Sequence, residues 1–204
     1  MTGAVGKLHV FPARDRIGFE EVVSYEEGRP QLGGPDDWDL WLSDHGLAGQ
    51  GYAHRMSNNG YEFRSWHLAE EHHPTVWQAR QMCRMIQRRE PTRPPFWHLS
   101  FNFPHPPIVP LASYLAMYAR REMRPAIRGD GNDDLPPALE RVRNSWPEMP
   151  EVRLAVMRRA FQAQCTLIDH QLRLVIGTLR ERLLLDDTVL VFTSDHGDML
   201  GDHG

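Results

Sequence analysis

Asp187-Thr188-Val189-Leu190-Val191-Phe192-Thr193-Ser194-Asp195-His196-Gly197-Asp198-Met199-Leu200-Gly201-Asp202-His203-Gly204 is the stretch on which the reading turns. Its first third, Thr188–Thr193, is apolar and rich in β-branched residues. A short run of that kind, bounded by polar turn residues, predicts a buried strand of an α/β sheet. The strand would deliver Ser194-Asp195-His196-Gly197 at its carboxyl end, where open α/β sheets bind their ligands. A carboxylate and an imidazole side by side there are suited to a divalent cation held through oxygen and nitrogen.

Working outward, residues 151–183 carry Leu154, Met157, Phe161, Cys165, Ile168, Leu172, Val175, Leu179 and Leu183 at spacings of three and four. That pattern predicts one long helix with an apolar face laid against a sheet. Upstream, Phe96–Phe103 alternates, with Trp97, Leu99, Phe101 and Phe103 on one side and His98, Ser100 and Asn102 on the other, which predicts a second strand. It runs into Pro104-His105-Pro106-Pro107, where the prolines fix the backbone around His105. Thr2–Val10 reads as a third strand. If it is extended throughout, Lys7 and His9 share a face.

The remaining segments carry less. Residues 24–62 and 108–150, rich in Gly, Pro and polar residues, read as long irregular excursions. A second Asp44-His45-Gly46 has no strand-like run before it and counts as coincidence. His67, His72 and His73 suggest a metal cluster at first sight. Pro74 and an N-cap at Thr75, followed by Val76, Ala79, Met82, Cys83 and Ile86 on one face, instead predict a loop leading into a packed helix.

Composition narrows the classes. The 204 residues are 41% apolar and 25% charged, enough for one domain with a sizeable core. A net charge of −4 with no basic block argues against nucleic acid as a partner. No apolar run approaches the length of a membrane span. Two cysteines, Cys83 and Cys165, make no disulfide framework.

Gly6-Lys7-Leu8-His9, the strand ending in Pro104-His105-Pro106-Pro107, the helix bearing Ile168-Asp169-His170-Gln171-Leu172, and Leu185-Asp186-Asp187-Thr188 leading to Ser194-Asp195-His196-Gly197 together resemble the sulfatase family in order and spacing. The resemblance covers nearly the whole chain, and its Asp-His pair looks like the choline-sulfatase and phosphonate monoester hydrolase branches. It implies an α/β fold, part of an alkaline-phosphatase-like sandwich with a central mixed sheet and flanking helices. It implies hydrolysis of a small-molecule sulfate ester, with phosphonate or phosphodiester hydrolysis, or a non-catalytic metal-binding role, as alternatives. Asp195 and His196 would bind one divalent ion, calcium first and manganese also open because imidazole is an unusual calcium ligand. Lys7 would contact the sulfate, His9 would hydrogen-bond the nucleophile, and His105 would contact the sulfate and the leaving oxygen.

The family nucleophile is a formylglycine made in a Cys/Ser-x-Pro-x-Arg setting. Cys83 is followed by Arg84-Met85-Ile86 and Cys165 by Thr166-Leu167-Ile168, and no serine fits either. The expectation is that residues 1–204 are a partial sulfatase-type catalytic domain, lacking its amino-terminal nucleophile segment and its carboxy-terminal continuation. Such a fragment would be inactive as an isolated chain.

Overall fold

The computed structural model describes all residues except 30–33, 128–134, 145–148 and 203–204, so parts of the two excursions and the end of the Asp-His-Gly stretch lie outside the described residues. Three parallel strands, β1 (Thr2–Gly6), β2 (Glu21–Ser24) and β3 (Phe96–Ser100), form a sheet in the order β2-β1-β3. In register, Ala4 stands between Val22 and His98, and Gly6 between Ser24 and Ser100. Ala4 and Val5 are fully buried, as a central parallel strand requires.

Helix α1 (Asp37–Asp44) follows β2, and α2 (Pro74–Gln87) precedes β3. Two short helices, α3 (Ala112–Tyr118) and α4 (Pro137–Asn144), occupy parts of the excursion read as loop, and α5 spans Glu151–Glu181. Val5 packs with Met82, Met85 and Ile86 of α2 and with Leu179 of α5, so these two helices cover the sheet. A second core gathers Trp38, Leu42, Trp66, Trp77 and Leu167.

Several readings need correction. β1 ends at Gly6 rather than continuing to Val10. Gly6 takes φ +107°, and a Cβ there would lie 2.0 Å from the Ser100 carbonyl oxygen, so only glycine allows the chain to turn off beside β3. His9 is also left-handed, at φ 56°, so strand alternation no longer relates it to Lys7. Second, the N-cap of α2 is His73, not Thr75: its Nδ1 accepts from the Thr75 amide. Third, the buried stripe of α5 runs through Leu154, Met157, Ala160, Ala163, Gln164, Leu167, Gln171 and Leu179, while Cys165 and Leu183 are exposed. Small residues and glutamines let α5 approach closely, and a count of large apolar side chains alone misses them.

The largest correction concerns Thr188–Thr193. After a 3₁₀ turn at Leu185–Asp187 the segment joins no sheet. Val189 is 90% exposed, and Val191 and Phe192 are each 83% exposed. The apolar run signals that burial is favourable. Pairing also needs a neighbour's backbone, and among the described residues β3 pairs with β1 alone.

Candidate functional site

The carboxyl ends of β1, β2 and β3 converge on one buried carboxylate, Glu27, which is 4% exposed. β2 stops at Ser24, whose amide donates to Asp37 Oδ2 at 2.6 Å. The chain then passes Glu26, whose carboxylate accepts from the amides of Leu8 (2.8 Å) and His9 (3.1 Å). Glu27 follows in the left-handed region, φ 59°, and Gly28 continues the turn at φ 62°. The turn brings the Glu27 side chain back across the sheet end.

Four side chains from three elements meet it. Lys7, just beyond β1, places Nζ 3.2 Å from Oε2. Arg29 donates from Nε at 2.8 Å and stands 2.7 Å away at Nη2, on the same oxygen. Asn102, just beyond β3, donates Nδ2 to Oε1 at 3.2 Å. His105 has Nδ1 3.8 Å from Oε1 and donates Nδ1–H to the Pro106 carbonyl at 2.8 Å. Burial alone would raise the Glu27 carboxyl, but Lys7 and Arg29 beside it hold it below the ordinary glutamate range.

The loop that carries His105 is braced from behind. His73, fully buried, donates Nε2–H to the Val109 carbonyl at 3.0 Å, and its ring lies against Phe103. Burial pushes the His73 imidazole down to about 4, consistent with the neutral ring that its N-cap role requires.

His196 reaches the same end of the molecule: its ring centroid is 6.1 Å from that of His105, edge to face. The loop after it is tied down. Tyr61 donates its hydroxyl to Asp198 at 2.9 Å, and burial, with Asp198 beside it, pushes the Tyr61 phenol up to about 12. Arg158 of α5 binds the Leu200 carbonyl at 3.0 Å and Asp202 at 2.7 Å. Asp195 and His196 themselves stay exposed, at 88% and 64% of their side chains.

Lys7, His105 and His196 are thus brought together from three distant points of the chain, with Asp195 next to His196. His9 joins only through its backbone amide on Glu26, and its side chain is exposed. Glu27, Arg29 and Asn102 escaped the sequence reading. The findable signal was a carboxylate pair at a strand end followed by glycine, Glu26-Glu27-Gly28.

The donors fall short of a metal centre. His196 uses Nδ1 as a donor to the Gly197 carbonyl, which leaves Nε2 as its ligating nitrogen, and Asp195 adds one carboxylate. Among the described residues no group of three or more His, Cys, Asp or Glu side chains stands close enough to hold an ion. Two donors do not satisfy a calcium ion, which takes about six to eight oxygens, nor a four-coordinate transition ion. The described side chains form a cradle of two cations, an amide and an imidazole around the Glu27 carboxylate at a part-buried strand end.

Known proteins resemble this chain in sequence and in fold. The chain is 29% identical to an arylsulfatase of Clostridium perfringens, over 99% of its own length and 45% of that protein. It is 28% identical to a choline-sulfatase of Rhizobium meliloti, over 100% of this chain and 41% of that one. The phosphonate monoester hydrolase of Agrobacterium radiobacter superposes with a TM-score of 0.69 at 18% identity, over 99% of this chain and 46% of that one, a likeness of alkaline-phosphatase-like fold. The chain therefore spans a little under half the length of the proteins it matches. The sequence profile of the Sulfatase family matches residues 1–204, and the chain belongs to the sulfatase family.

Proposed function

We propose that residues 1–204 are the anion-binding part of a sulfatase-type catalytic domain that hydrolyses a small-molecule sulfuric ester. The observation that carries this reading is the meeting of Lys7, Arg29 and His105 around Glu27, with His196 alongside. Lys7 and Arg29 present cationic donors to the non-bridging oxygens of the ester, where charge must be stabilised as the bond breaks. His105 keeps Nδ1–H on the Pro106 carbonyl, so Nε2 is the atom that would pass a proton to the departing oxygen. His9 is assigned to the neighbourhood of the nucleophile. Asp195 and His196 are assigned two of the donor positions of a divalent ion, calcium first and manganese second. A phosphonate monoester shares the same singly charged tetrahedral head, and the likeness in fold to a phosphonate monoester hydrolase supports that second reading.

With no Cys/Ser-x-Pro-x-Arg segment among its residues, this chain on its own binds the anion and does not turn it over. A titration of the ¹⁵N-labelled chain with methyl sulfate, a singly charged ester, tests the proposal. Saturable amide shifts centred on Lys7, Arg29 and His105, weakened by Lys7→Ala, are expected, with no release of nitrophenol from nitrophenyl sulfate. Shifts scattered over the surface would sink the cradle, and nitrophenol release would sink the claim of inactivity.

A further inference from the structure

Glu27 is an odd residue to find in an anion site. It is buried, at 4% exposure, it carries the sign of charge that repels the ligand, and the proton transfer assigned to His105 does not use it. Its two oxygens are fully engaged: Oε2 takes Lys7 at 3.2 Å and Arg29 at 2.7 and 2.8 Å, while Oε1 takes Asn102 at 3.2 Å and lies 3.8 Å from His105. Its backbone carbonyl is also held, by Asn58 Nδ2 at 3.1 Å. A side chain anchored at this many points from four parts of the chain does not swing aside when an anion arrives.

The charge count follows from these contacts. Lys7 and Arg29 contribute two positive charges and Glu27 removes one, so the pair of cations presents a single net charge. His105 adds to it only when protonated. Glu26, equally buried, directs its carboxylate at the amides of Leu8 and His9 rather than at the cations, and its charge acts in the same direction as that of Glu27. Lys7 and Arg29 are only 19% and 14% exposed, so solvent screens this balance weakly. A singly charged oxyanion leaves less uncompensated charge beside these carboxylates than a doubly charged one. A doubly charged one of the same size leaves an excess negative charge in a part-buried place, where it is costly.

We propose that Glu27 is a specificity-determining residue, a fixed counter-charge that tunes the cradle to singly charged tetrahedral esters and against doubly charged phosphate monoesters. This rests on the anion-cradle reading of the preceding subsection and deepens it. Glu27 also positions Lys7 and Arg29, but a purely positioning role makes a different prediction: its loss would weaken all anions alike.

Methyl sulfate and methyl phosphate separate the two roles, because they match in shape and differ by one charge at about pH 8, above the second phosphate ionisation. Their dissociation constants are measured by NMR titration of the 204-residue chain, with circular dichroism to confirm folding, for the unaltered protein, Glu27→Gln and Arg29→Gln. Glu27→Gln keeps the shape and removes the charge, and is expected to shift the methyl phosphate to methyl sulfate preference about tenfold toward phosphate. Arg29→Gln, which removes a cation and leaves Glu27 paired to Lys7, is expected to shift it the other way and remains informative if Glu27→Gln does not fold. A preference unmoved, or moved in the opposite sense, in the folded variants overturns the proposal while leaving the cradle intact. Absence of saturable binding of either probe to any of the three proteins overturns the cradle and this inference together.

Discussion

Lys7 and His105 leave neighbouring parallel strands and meet a carboxylate shielded from water, whereas Asp195 and His196 follow a segment whose apolar side chains stand in solvent. The difference lies in what fixes each half. The first half is determined by strand register, by Gly6 turning beside Ser100, and by an ion-pair network that requires each partner to be in place. Among the described residues the second half is held from its far side, through Tyr61, Arg158 and Leu200, and joins no sheet. Residues of one proposed site can thus have different local stabilities, and a half that is loosely held is suited to completion by further contacts.

The contrast can be broken most severely at Glu27. Glu27→Ala strands Lys7 and Arg29 in a part-buried place without a counter-charge, and unfolding in urea is expected to lose about 3–5 kcal/mol. A loss below about 1 kcal/mol would mean that the network is as solvated as a surface pair.

Next in size is the acid response of His73. Its ring is held neutral by the Thr75 amide on Nδ1, and burial depresses it from 6.5 to about 4. The unfolded chain therefore takes up a proton that the folded chain refuses. The contribution is complete above pH 6.5 and is lost as the pH falls toward about 4, roughly 3 kcal/mol in all. Denaturant unfolding across that range, with His73→Gln as the reference, measures it. An equal pH slope in the reference would remove His73 as the cause.

The smallest effect sharpens the other side of the contrast. Phe192→Ser and Val191→Ser alter side chains that face water, and each is expected to change stability by no more than about 0.5 kcal/mol. A loss of about 2 kcal/mol in either would show that the segment is packed in solution, and the two halves would then be alike.

Much of the fold was legible because it follows from periodicity. The alternation of Phe96–Ser100 and the long apolar repeat of 151–183 gave β3 and α5 within a few residues at each end. Lys7 and His105 were singled out only through the family resemblance carried by Gly6-Lys7-Leu8-His9 and Pro104-His105-Pro106-Pro107, since neither residue stands out by periodicity. Glu27 and Arg29 were not, because their role depends on a left-handed turn that folds one loop back across three strand ends. Periodicity has nothing to say about such a turn. Thr188–Thr193 failed for the converse reason: its composition records a preference for burial, and composition does not name the backbone that would supply it. The identity of the donors that would complete Asp195 and His196 is a similar blank, since ligand sets are assembled in space.

Thr188–Thr193 has a further consequence. Six uncharged residues of high β-propensity, with neither proline nor glycine, match the kind of segment that stacks into cross-β assemblies when its backbone is unsatisfied. Asp186 and Asp187 on one side and Asp195 on the other act as electrostatic gatekeepers. Replacing those aspartates with asparagine would remove the repulsion between copies, so the solubility of this chain should be limited less by unfolding of its core than by self-templating of six residues outside it.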